Sequence, residues 1–472
     1  MQPGIVTGAG LLAVVLSVIP SRAAAPGTAV IPRTDTGLRP AASVLNDYVL
    51  SSPSAGTAGE GSDAEASSIR SLVARSTDAA PRDDGGGRRA GQARPEPQEP
   101  FKQAGEAPLE YRGPGRDAPE PDVEEVVLGW FGPGDPDHPT GGDFWRGATL
   151  ALEVVNREGG YRDRPFRLHP GWSENPWGTG VVEVTKMVYE HGAWAIVGAI
   201  DGAATHLAEQ VALKARITLV SSGSTDKTAN LASVPWMFSC LPSDEVQAPI
   251  LAQAVADAAG DGRFAVVAAT DHDSHAALVE LRRALAVRGL TPSTLVEFDP
   301  VRQDLSALGR RLLEIDPRAV VVLAPPEAGA RLVTEVRGRG YAGGLIGGGA
   351  LALASFGRAA GEAAEGLRVP LLRERSDRWD TFVRMYDNRW GEPPDHGAAQ
   401  SYDAVRLVVE ATRRAGLNRA RIRDAVRDIA PWRGVAGIVR WDALGRNERP
   451  VGLATWRGGR LQPIAAPDSR ER

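Results

Sequence analysis

The run Val126-Val127-Leu128-Gly129-Trp130-Phe131 breaks at Gly132-Pro133 and passes through a polar loop to Gly142. It resumes as an amphipathic helix from about Asp143 to Glu158. An apolar strand, a glycine-rich turn and a helix form the opening unit of a doubly wound α/β domain, whose ligands sit at the carboxyl ends of its strands. The texture recurs downstream. Strand-like runs at 194–199, 217–221, 264–269, 319–324 and 344–347 are continuously apolar, as parallel strands covered on both faces require. Helical periods fall between them near 178–190, 204–215, 245–259, 274–288, 303–315 and 326–339. In the 274–288 stretch Leu278, Leu281 and Leu285 share one stripe. Helices at 377–390 and 397–415 follow, then strand-like pieces at 438–441 and 452–456. The βα unit recurs in two sets, which predicts an α/β protein of two lobes.

The segment before this unit reads differently. Residues 26–121 are rich in Ala, Gly, Pro, Ser, Asp and Arg. Such composition buries too little apolar surface to offset ordering entropy, so a disordered stem is expected. Ahead of it, the apolar run 5–19 is followed by Pro20-Ser21-Arg22-Ala23-Ala24-Ala25. That pattern suggests a signal peptide over 1–25, with cleavage after Ala23 or Ala25. The run falls short of the ~18 residues of a spanning helix; an uncleaved anchor is the alternative.

Composition excludes several classes. The formal net charge of −5 gives no basic balance for nucleic acid, and Cys240 is the only cysteine. A disulfide framework, a cysteine-based zinc site and a lipoprotein anchor near the amino terminus are therefore excluded within the chain. No Gly-x-Ser-x-Gly elbow, phosphate-binding Gly-x-x-x-x-Gly-Lys loop or His-Glu-x-x-His helix is present, so covalent chemistry is not expected.

Several short pieces carry a resemblance by their order and spacing. They are Asn156-Arg157-Glu158-Gly159-Gly160-Tyr161, Ala195-Ile196-Val197-Gly198, Ile217 to Thr225, Phe238 to Asp244, Asp304 to Ala307, Glu365-Gly366-Leu367, Tyr402 to Val405 and Gly437 to Gly445. Together they resemble the Leu/Ile/Val-binding type of periplasmic solute-binding protein, over about 123–465. The resemblance implies two Rossmann-like lobes with parallel-rich sheets, joined by a three-crossing hinge. Lobe 1 would comprise 122–242 plus 371–434, lobe 2 243–370 plus 435–465, and 466–472 a tail. It implies an exported, periplasmic protein that captures a small amino-acid- or amide-like ligand and delivers it to an ABC permease, without a cofactor. A monomer is expected. A sensory module or a hydrolase of the same fold are the alternatives.

Two loops open helices after buried strands: Asp201-Gly202-Ala203-Ala204-Thr205 and Ser222-Gly223-Ser224-Thr225-Asp226. Their spacing alone suits ordinary helix capping as well as anion binding at a helix start. The resemblance implies that Gly202, Ala203, Thr205, Gly223 and Thr225 hold a ligand carboxylate. In the polar loop Asp271-His272-Asp273-Ser274-His275, Ser274-His275 stands where the resemblance leads one to expect Tyr-Gly, and a metal is a minor alternative there. The resemblance implies an acidic partner for the ammonium of an amino acid within Gly347-Gly348-Gly349-Ala350, a stretch that offers no carboxylate. Asp201, Asp271 or Asp273 would have to replace it. Trp130, Phe131, Trp172 and Trp177 suggest an apolar or aromatic lining. The expected ligand is therefore not a branched-chain amino acid but a carboxylate or amide with an apolar body.

Overall fold

The computed structural model describes residues 110–465, apart from 232–234, 303 and 375. The expected signal peptide, the stem as far as residue 109 and the tail lie outside the described residues. Two sheets organise the rest. The first has the order β2-β1-β3-β4-β5. Its strands Val126–Phe131, Phe166–Gly171, Ala195–Gly198, Thr218–Ser221 and Met237–Ser239 are β1 to β5 in chain order, and all pair in parallel. The second has the order β14-β13-β10-β9-β8-β6-β7. Strands β6 to β10 are Phe264–Ala269, Thr294–Phe298, Ala319–Leu323, Gly344–Gly347 and Arg368–Leu371. They pair in parallel, and the antiparallel hairpin β13–β14 (Gly452–Arg457 and Arg460–Ile464) closes one edge. A small ribbon, β11–β12, joins Trp432–Arg433 to Ile438–Val439.

Every residue of β1, β6 and β8 is buried, because helices cover both faces of each sheet. In lobe 1 the helix Gly142–Arg157 packs against the long helix His396–Ala415, which returns from far along the chain. A Cβ at Gly147 would overlap the Ala398 carbonyl, so the absence of a side chain sets how closely these helices meet.

Two boundaries differ from the sequence reading. Residues 110–121, assigned there to the stem, lie against lobe 1. The Tyr111 ring packs on Trp236 with centroids 4.7 Å apart, and the Asn418 side-chain amide donates to the Gly115 carbonyl at 2.8 Å. Likewise Val435, Ala436 and Val439 belong to the lobe 1 core rather than to lobe 2. Asp403 explains why: its carboxylate, buried in the long helix, accepts the Val435 and Ala436 N–H groups at 2.7 and 2.8 Å. The Ser239 N–H still reaches the Gly445 carbonyl at 2.9 Å, so the third crossing begins at about Asn447.

The crossings are laced to one another. On the third, the Asn447 side-chain amide donates to the Cys240 carbonyl of the first at 2.6 Å. Arg449, almost fully buried, donates to the Leu372 carbonyl of the second at 2.7 Å, and to Ala436. Leu241, Leu372 and Val451, one from each crossing, pack as a small apolar cluster.

Candidate ligand cleft

A cavity of about 370 Å³ opens where the carboxyl ends of β1 to β4 face those of β6, β8 and β9. That volume suits a small ligand. Its apolar wall includes Phe144, Trp172, Ile200, Leu323 and Leu353. Of the residues singled out from the sequence, Ala203, Gly223, Thr225, Asp271, Asp273 and Ser274 line it.

The others do not. Trp130 is fully buried in the lobe 1 core, where its indole N–H donates to the Pro133 carbonyl at 3.0 Å. Successive strand residues point to opposite faces, and the face Trp130 takes packs under the helices Gly142–Arg157 and His396–Ala415, with Trp145 beside it. Thr205 is also fully buried; its hydroxyl turns back one helical turn to the Asp201 carbonyl at 2.6 Å. Trp172 does line the cavity, against Phe131 at 5.5 Å.

The implied carboxylate seat is occupied from within the chain. The Gly202 N–H, at the head of the helix Gly202–Ala215, donates to both oxygens of Asp273 from the opposite lobe, at 2.9 and 3.0 Å. The Ala204 N–H is taken by the Asp201 carboxylate at 2.7 Å, and the Gly223 N–H by the Ala199 carbonyl at 3.1 Å. The Thr225 hydroxyl donates to Asp244 at 2.8 Å, and the Asp244 N–H returns to the Thr225 carbonyl at 2.8 Å. Protein acceptors thus sit on the Gly202, Ala204 and Gly223 N–H groups and on the Thr225 hydroxyl, and a ligand reaching these particular donors would have to displace them. Gly223 remains indispensable for another reason: a Cβ there would lie 2.5 Å from the Ile200 carbonyl oxygen.

Electrostatics follow from this arrangement. Burial pushes the Asp244 carboxyl up to about 8, and the charges acting on it, Asp226 and Glu280, are themselves acidic. Burial and the neighbouring Asp201 hold Asp273 well above the usual carboxylate range. Burial likewise raises Asp201 and lowers His396 to about 4, so that this cavity-lining ring is neutral at pH 7. Asp244, Glu174 and His396 were not among the expected site residues. Asp244 had a local sign, since it follows Ser243 at the first turn of a helix, but nothing in the sequence placed that turn on the cleft.

The polar loop 271–275 splits. His275 turns towards Glu297, with 3.7 Å between them. His272 crosses the cleft to Asp226 at 2.7 Å, and His206 meets the same carboxylate oxygen at 3.0 Å. Ligand atoms of His206, Asp226 and His272 all lie within 4.8 Å of one another.

Solved structures share this architecture. The branched-chain amino acid transporter substrate-binding protein LivJ of Streptococcus pneumoniae, in complex with isoleucine, superposes with a TM-score of 0.66 at 20% identity, covering 72% of this chain and 98% of that one. The leucine-binding protein LivK of Thermotoga maritima gives 0.64 at 19% identity, with 72% and 98% covered. A solute-binding protein of an ABC transporter from R. palustris, in complex with benzoate, gives 0.63 at 17% identity, with 73% and 98% covered. At these identities the likeness speaks to the fold. No curated protein matches the chain in sequence. The sequence model of the periplasmic binding protein family matches residues 132–460. That is most of the folded chain, from the loop after β1 to the last hairpin, and the chain belongs to the periplasmic binding protein family.

Proposed function

We propose that the protein captures a small amino-acid- or amide-like solute between its lobes and presents it to an ABC permease, as an extracytoplasmic monomer that performs no covalent chemistry. The observation carrying this reading is the cavity itself. It lies at the carboxyl ends of both sheets, is bordered by residues of both lobes, and is spanned by direct contacts such as Gly202 to Asp273. A hinge of three laced crossings lets such lobes close on a ligand without breaking either core. Two of the structural relatives named above hold isoleucine and benzoate, which are small ligands of the size this cavity admits. No helix among the described residues is long and apolar enough to cross a membrane.

Thermal unfolding of the full chain with amino acids, amides, ureas, amines and carboxylates tests the reading. A cleft ligand at a hundredfold excess over its dissociation constant adds about 2.7 kcal/mol, enough to raise the midpoint by several degrees. Ala203→Trp, which fills the cavity, is expected to abolish that rise. A rise that survives Ala203→Trp would place the ligand elsewhere.

A further inference from the structure

The cavity presents acceptors. Glu174, Asp201, Asp244, Asp271 and Asp273 border it, and among the described residues no Lys or Arg does. Acids at helix starts are ordinary caps: Asp201 accepts from the Ala204 N–H, and Asp271 from the Ser274 N–H at 3.0 Å. Capping needs only one oxygen, which Asn or Ser supplies equally well.

Three observations go beyond capping. Asp273 places its carboxylate on the Gly202 N–H, at the helix start where an anionic ligand group would bind. Asp244 is 7% exposed, has the Thr225 hydroxyl on one oxygen, and has the acidic Asp226 and Glu280 as the charges that bear on it most. His396 is also 7% exposed and lines the cavity; its Nδ1 has no hydrogen-bond partner, and neither has the shielded Oδ2 of Asp271. A buried carboxylate without a cation is costly, which is why the Asp244 carboxyl is pushed up to about 8, and a cation placed beside it would favour its ionised, accepting form. An ammonium supplies one positive charge and three donors.

Resting on the solute-binding reading above, we infer that the ligand is an organic cation: a primary ammonium on an apolar body, with no carboxylate of its own. The ammonium would meet the acceptors of Asp244, Asp271 and His396. The body would lie against Phe144, Ile200 and Leu353.

Calorimetry on the full chain with four probes that share a phenyl body tests this: 2-phenylethylamine, phenylalaninamide, phenylalanine and phenylacetate. The first two are expected to bind, phenylalanine at least tenfold more weakly than its amide, and phenylacetate not at all. Asp244→Asn and Asp271→Asn, made singly, are each expected to weaken 2-phenylethylamine tenfold or more. Asp271→Asn keeps the capping oxygen, so its effect does not depend on folding. Phenylacetate or phenylalanine binding more tightly than 2-phenylethylamine overturns the inference, as does binding of neither cation. If the bound anion is lost on Ala203→Trp, the solute-binding reading survives. Cation binding unaffected by both Asn variants and by Ala203→Trp lies outside the cleft and overturns both.

Discussion

Asp226 carries more of the interlobe chemistry than its neighbours. It is almost fully buried, and it accepts from Thr228 of its own turn, from His206 of lobe 1 and from His272 of lobe 2. Those bonds hold its carboxyl below the usual range against the opposing effect of burial. Asp226 and then Glu209 raise the His206 ring to about 9, with His272 packed edge-on beside it. A histidine raised in the folded state contributes its full stabilisation below the unfolded value near 6.5, and loses it as pH rises through about 9. The ring is about one-fifth exposed, so the contribution is on the order of 2–3 kcal/mol. Asp244, raised to about 8, adds a slope of the same sign between about 4 and 8, because its folded form keeps a proton that the unfolded form releases. Denaturant unfolding of the wild type is therefore expected to show falling stability from pH 6.5 to 9. In His206→Gln the part of that fall above pH 8 is expected to vanish. An equal slope in both proteins would mean that the Asp226 bonds do not charge His206.

The elements differ in how far their sequences announce them. Strands β6 and β8 are uninterrupted apolar runs and were legible for the reason they are stable: both faces are covered. Strands β2 and β7 were not. Phe166–Gly171 contains His169 and Pro170 and has solvent on one side, and Thr294–Phe298 is an edge strand with alternate residues exposed. Short half-wet strands of this kind look like loops until a neighbour pairs with them. The return of the helix His396–Ala415 onto lobe 1 was legible as a helix, but not as a partner of Gly142–Arg157. The clue lay in Gly147, where helix propensity alone favours alanine by about 1 kcal/mol. The fold reverses that preference because the Ala398 backbone occupies the space a methyl would need. Gly147→Ala is expected to lower stability by about 1–3 kcal/mol through overpacking, measured by denaturant unfolding. A stabilised variant would show that the two helices can separate at no cost.

At the scale of the whole molecule, the site was half legible. The loops after β3, β4 and β6 could be named because each follows a recognisable strand. Their interactions could not, because Gly202 pairs with a residue 71 positions away and Thr225 with one 19 away across the first crossing. Such pairs exist only once the lobes meet, so no local pattern encodes them. They also bear on how the molecule works. The lobes touch through Gly202–Asp273 and Asp226–His272 on one side and through Asp143–Arg358, 2.8 Å apart, on the other. The Asp143–Arg358 pair joins a buried carboxylate to a half-exposed guanidinium, and an N–H given to a carboxylate is likewise a charge-assisted bond whenever that carboxyl is ionised. A ligand can shift the balance between open and closed states only by its differential affinity for the two. Contacts that favour the closed state without ligand therefore tune the apparent affinity. Gly202→Ala isolates one of them. The new Cβ would overlap the tip of the Asp273 side chain, which can swing away, whereas at Gly223 it would meet fixed backbone. Gly202→Ala is therefore expected to change the unfolding midpoint little, while the ligand-free protein opens. Small-angle scattering would read this as a larger radius of gyration than in the wild type, and Asp273→Ala, which removes the same bond from the other lobe, is expected to match it. Scattering identical to the wild type in both variants would show that this bond does not hold the lobes together.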